Sequence, residues 1–178
     1  MKCKLFILLA GFLFLACSNN NTEPNSNEKE EILPKTFESA SDYNNAIVKL
    51  QASIFYCFDE LEQAINNFEP EEMNAALNKA KSTVNNALLE LKSFGGFKEN
   101  FLYFEAAKNF FETYLNLLEN EYSQLVDLYK LSDESFGEKE NIIVDSLDNS
   151  IAAKQDSSFK KFWKIQMDFG KEFEIIDN

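Results

Sequence analysis

From Phe97 to Leu131 an apolar side chain returns every three or four residues, as Phe97, Phe101, Phe104, Ala107, Phe111, Leu115, Leu118, Tyr122, Leu125 and Tyr129. That period predicts one long amphipathic helix. Leu102, Phe110, Tyr114, Leu117 and Leu128 flank the stripe and widen it beyond a two-stranded seam, so the helix has to bury a broad face against more than one neighbour. Any fold open to this chain must supply helices to cover it.

Three further stretches carry the same period. Ser41 is a good N-cap for a first helix with Tyr43, Ile47, Leu50, Ile54, Cys57, Leu61, Ile65 and Phe68 on one side. Pro70 suits a first helical turn, and Glu71 and Glu72 there complement the dipole of a second helix striped by Met73, Leu77, Ala80, Val84, Leu88 and Leu91. Gly95-Gly96 ends that helix. A polar turn over 132–137 leads to a last helix from about Glu138 to Ile176, with Ile143, Leu147, Ile151, Phe162, Ile165, Phe169 and Phe173 on one side and an unexpected polar interruption from Lys154 to Ser158. With short connections and no strand-like alternation, the expectation is an all-α, antiparallel up-down-up-down four-helix bundle over residues 37–178.

Composition excludes more chemistry than it suggests. All 17 basic residues are Lys, and the chain has neither Arg nor His, which removes imidazole-based metal sites and histidine acid–base catalysis. A di-iron carboxylate bundle needs Glu-x-x-His pairs, and no glycine-rich phosphate loop is present. The formal charge of -13 repels phosphate backbones and argues against nucleic acid as a partner. Cys57 lies on the apolar stripe between Ile54 and Leu61, in a chain with neither His nor Arg to lower its pKa, so it reads as a buried, inert side chain. These features predict no enzyme activity and no cofactor.

The N-terminus gives a location. Residues 1–16 hold Lys2 and Lys4 ahead of an apolar run, Leu5 to Ala16, too short for an ordinary transmembrane helix but suited to a signal peptide core. Leu15-Ala16 followed by Cys17 resembles the lipobox of bacterial lipoproteins, with Phe14 where that family usually has Leu, Val or Ile. The resemblance implies cleavage before Cys17, diacylation of its thiol, and a lipid-anchored protein of the bacterial cell envelope, at the outer membrane and facing the periplasm or the exterior. Residues 17–36, rich in Asn, Ser and Glu, then form a flexible tether. Tyr43-Asn44, Ile47-Val48 and Gln51, with Phe97-Lys98, Ala106-Ala107, Phe110-Phe111, Tyr114, Glu119-Asn120-Glu121-Tyr122 and the closing Phe162 to Phe173 segment, also resemble helical surface lipoproteins of spirochaetes and Bacteroidota. That family implies no functional residue.

The candidate partner site comes from helix lengths. A central helix over 97–131 would span about 50 Å against about 36 Å for the second, so the third and fourth helices should overshoot the first two by about 15 Å. The overhang would leave Leu125, Leu128, Tyr129 and Ile143 without cover, as a surface for a protein partner. Glu69, Glu71, Glu72, Asp133, Glu134, Glu138 and Glu140 would form an acidic rim at that end, although acids also collect at helix N-termini for dipole reasons alone. An alternative use of the bundle is a small hydrophobic-ligand carrier, with a cavity among the aromatic residues of the central helix.

Overall fold

A computed structural model describes residues 34–132 and 134–175, within one unit, Ile32–Asn178. Five α-helices account for most of them: α1 Ala40–Asn66, α2 Pro70–Phe94, α3 Leu102–Glu119, α4 Glu121–Tyr129 and α5 Glu138–Glu172. The protein is all-α, and among the described residues the only β feature is an isolated bridge between Phe97 and Asn100. The signal segment, Cys17 and the tether to residue 33 lie outside the described residues, as do Asp133 and Ile176.

The sequence places the start of α1 two residues late. Ser39, not Ser41, is the N-cap, its hydroxyl accepting from Asp42 N at 3.0 Å. At the other end α1 stops at Asn66, and Phe68 leaves the stripe: its φ is +56° and its ring is 64% exposed. Pro70 opens α2 as the sequence indicates, and Tyr43, Ile47, Ile54, Leu61, Met73, Ala80, Val84 and Leu91 are buried. The two glycines after α2 are both required. Gly95 has φ +59°, and a Cβ on Gly96 would meet the Phe101 ring at 2.8 Å and the Asn100 carbonyl at 2.9 Å.

The expected single central helix is shorter and broken. Residues 97–101 form a tight turn with Lys98 and Glu99 at positive φ, so Phe101 stands 57% exposed beside Gly96 instead of on the buried stripe. At Asn120 (φ -112°, ψ -78°) the helix is interrupted. Polar side chains take up carbonyls around the break: Asn120 Nδ2 donates to Asn116 O at 2.9 Å and Ser123 Oγ to Leu118 O at 3.0 Å. The buried face runs through Tyr103, Ala107, Phe110, Tyr114, Leu117 and Glu121, with Phe111, Leu118, Tyr122 and Leu125 beside it.

This shortening removes the expected overhang. The 28 residues from 102 to 129 extend about 42 Å, against about 38 Å for α2, so the excess is a few Å and not a whole hairpin. Leu125, Val126 and Val144 are accordingly buried, and Leu128, Tyr129 and Ile143 are half-buried against the core.

Helix α1 packs on α2, α2 on α3 and α4, and α3 and α4 on α5. One end of the core is a cluster of rings around Tyr43, which contacts Phe37, Phe94, Phe97, Tyr103 and Phe169 and donates its hydroxyl to Gly95 O at 2.7 Å. The middle is filled by Phe55, Phe110, Tyr114 and Phe162, with Phe110 stacked on Phe162 at 4.8 Å. No described helix is long and apolar enough to cross a membrane.

Candidate functional site

Phe68 is turned outward by the way α1 ends. Asn67 N donates to Gln63 O and Phe68 N to Ile65 O, a tight final turn that puts residue 68 in the left-handed region usually filled by glycine or asparagine. A phenylalanine there is strained by about 1–2 kcal/mol, and Pro70 two residues on prevents the helix from continuing to relieve it. The ring meets Tyr129 of α4 edge-on at 5.6 Å, and Tyr129 stacks on Phe136 of the α4–α5 connection at 6.1 Å. With Leu131 and Asn141 these three rings line a recess of about 460 Å³.

A second recess of about 230 Å³ shares Tyr129 and lies between α1 and α5. Glu62 and Asn66 of α1, Tyr122 and Leu125 of α4, and Asp148 of α5 line it. Glu62 accepts the Tyr122 hydroxyl at 2.9 Å. Burial and the neighbouring Asp145 together push the Asp148 carboxyl up, and burial followed by Asp148 and Asp145 pushes up the Tyr129 hydroxyl. Among the described residues none of Glu62, Asp145 and Asp148 forms an ion pair with a lysine.

Of the four residues expected to bind a partner, Tyr129 lines both recesses and Leu125 forms buried floor in the second. Leu128 and Ile143 line neither; both pack half-buried on the core. Sequence reasoning missed Phe68 and Phe136. The α1 period passes straight through Phe68, but Pro70 two residues later signals that the helix must already have ended.

The interruption in α5 has a structural partner. Glu121 falls on the buried face of the broken helix, 7% exposed, and is paired by Lys154 Nζ and by Ser150 Oγ at 3.1 Å. Burial alone would raise its carboxyl, but the Lys154 ammonium, the Ser150 hydroxyl and its own backbone N–H hold it below the usual carboxylate range. α5 continues unbroken through 154–158, so this is no bulge. Beside it a groove of about 680 Å³ runs between α3 and α5, with Phe110 and Phe162 as floor and Asn109, Thr113, Lys154 and Ser157 as walls.

Cys57 is 2% exposed, its thiol donates to Ile54 O at 3.1 Å, and burial with Glu60 nearby pushes it up to about 11. Among the described residues no group of His, Cys, Asp and Glu side chains is arranged to hold a metal ion. In comparisons with family models, curated proteins and solved structures, nothing matches this chain.

Proposed function

We propose that this chain is a non-catalytic, lipid-anchored protein of the bacterial cell envelope whose helical domain binds another macromolecule through the Phe68–Tyr129–Phe136 recess. The observation that carries the reading is Phe68. An exposed aromatic ring held in a strained backbone conformation over an aromatic recess has little value for folding and is the usual chemistry of a binding anchor. In the same reading the helices alternate in direction as an up-down-up-down bundle, supported by Tyr43 near the start of α1 meeting Gly95 after α2 and Phe169 late in α5. Cys17 carries the lipid, so the α1–α2 turn and the α4–α5 connection face away from the membrane. The partner is a protein, not a nucleic acid, given a formal charge of -13.

Capture from a detergent-solubilised envelope fraction tests it. The wild-type chain is expected to retain a discrete partner that the Phe68→Ser, Tyr129→Ser double variant loses; retention by both would remove this recess from consideration. A second reading, a carrier of a small hydrophobic ligand, is favoured by one observation, the groove of about 680 Å³ floored by Phe110 and Phe162. Solvent extraction of the purified chain followed by mass spectrometry separates the two, since a carrier would release a stoichiometric ligand.

A further inference from the structure

The acidic recess beside the aromatic one indicates what kind of segment would enter. Its walls carry Glu62 from α1 and Asp148 from α5, with Asp145 close to the latter, and Tyr122 and Tyr129 lie between them. The lysine nearest in sequence to Tyr129, Lys130, is turned to Asp127 at 2.8 Å and to Asn74 of α2 at 3.1 Å. Lys154, on the next turn of α5, is held by Glu121. The recess therefore presents carboxylates and tyrosine rings with no lysine among its lining residues, on a chain that is acidic overall. A cation placed there gains charge–charge attraction to both walls. The neighbouring recess, sharing Tyr129, is lined chiefly by apolar and aromatic side chains and suits a bulky apolar group.

We propose that the two recesses together receive an extended polypeptide segment carrying a Lys or Arg two residues from a bulky apolar residue, the cation between Glu62 and Asp148 and the apolar group among Phe68, Tyr129 and Phe136. This rests on the reading of the aromatic recess as a partner site and adds the partner's chemistry. A basic segment is complementary in charge to these walls, and side chains two residues apart in an extended segment point to the same face, about 7 Å apart, and so can reach neighbouring recesses.

The test titrates the full chain with three capped tetrapeptides, Lys-Lys-Phe-Phe, Glu-Glu-Phe-Phe and Lys-Lys-Gly-Gly, and with spermidine, by calorimetry at low and moderate salt. Only Lys-Lys-Phe-Phe is expected to bind appreciably, more weakly as salt rises. Glu62→Gln with Asp148→Asn should weaken it about tenfold, while Glu71→Gln with Glu72→Gln, an equal change in net charge, should leave it within about twofold. Glu62→Gln alone, which keeps an acceptor for the Tyr122 hydroxyl, is the second variant if the pair disturbs folding. Equal loss in the Glu71/Glu72 control, equal binding of either of the other peptides, or spermidine binding as tightly as the peptide would each overturn the proposal. If no peptide binds but the Phe68→Ser, Tyr129→Ser variant still loses its captured partner, the cationic segment is wrong and the partner site stands. If that variant loses nothing, the partner site itself is wrong.

Discussion

Phe68 and Phe111 lie on what the sequence presents as similar apolar stripes, yet the structure gives them opposite surroundings. Phe111 is 0% exposed, and truncation to Ala should destabilise the fold by about 3–5 kcal/mol through the cavity left behind. Glu112→Ala, which removes only an exposed pair with Lys108, should change stability by less than about 0.5 kcal/mol. Matching thermal shifts for the two would show the buried face of α3 to be misassigned. Phe68→Gly relieves a left-handed strain at the expense of one edge-on ring contact, so its melting temperature should stay within a few degrees of wild type or rise. A drop as large as that of Phe111→Ala would mean Phe68 belongs to the core. Periodicity identified Tyr43, Cys57 and Phe111 as buried because all three lie within the regular backbone of their helices. It failed at Phe68 and Phe101, where the spacing extends past the end of α1 and ahead of the start of α3, and only local turn geometry decides which way the ring points.

At the level of the helix, the pairing of Glu121 with Lys154 explains two irregularities at once. A carboxylate on the buried face of the broken central helix is unfavourable alone, and Lys154 with Ser150 pairs its Oε1 from the polar interruption of α5, although its buried Oε2 has no partner among the described residues. The sequence exposed only the α5 half, since Glu121 follows Asn120 in a run of polar residues that reads as solvated face. Glu121→Gln should destabilise the protein by about 1–2 kcal/mol at neutral pH, below the figure for a fully buried pair because Lys154 is 44% exposed. The carboxyl is depressed in the folded state, so this stabilisation is complete above the unfolded-state value of about 4.3 and is lost as pH falls through the lower folded value. Wild type and Glu121→Gln should therefore converge in melting temperature in acid. Asp148 has the opposite sign: its raised carboxyl contributes stability at low pH that disappears as pH rises past about 3.9 and through the folded value. Asp148→Asn should gain on wild type as pH increases. Thermal melts between acid and neutral pH check both, and parallel curves would contradict both assignments.

For the whole molecule, four apolar stripes and three turns were enough to anticipate an all-α fold, because each stripe is wide enough to require neighbours. The proposed partner surface was only half legible. Its location near Tyr129 followed from a helix-length argument, but the overhang on which that argument rested vanished once the central helix began at Leu102. What replaced it, a recess assembled from Phe68, Tyr129 and Phe136, joins side chains from three parts of the chain and has no linear signature. In the proposed reading membrane attachment would depend on Cys17, since two or more acyl chains, each buried methylene worth about 0.8 kcal/mol, hold a protein stably where one does not. Cys17→Ser should move the protein out of the membrane fraction, and persistence there after signal cleavage would contradict the lipoprotein reading.

The most direct measurement replaces Phe68 with a benzophenone-bearing phenylalanine in living cells and irradiates them. Leu89 of α2, 51% exposed and remote in sequence from both recesses, serves as the control position. A partner held in the aromatic recess predicts one discrete crosslinked species from position 68 and none from position 89. No crosslink from position 68, or the same products from both positions, would contradict the account.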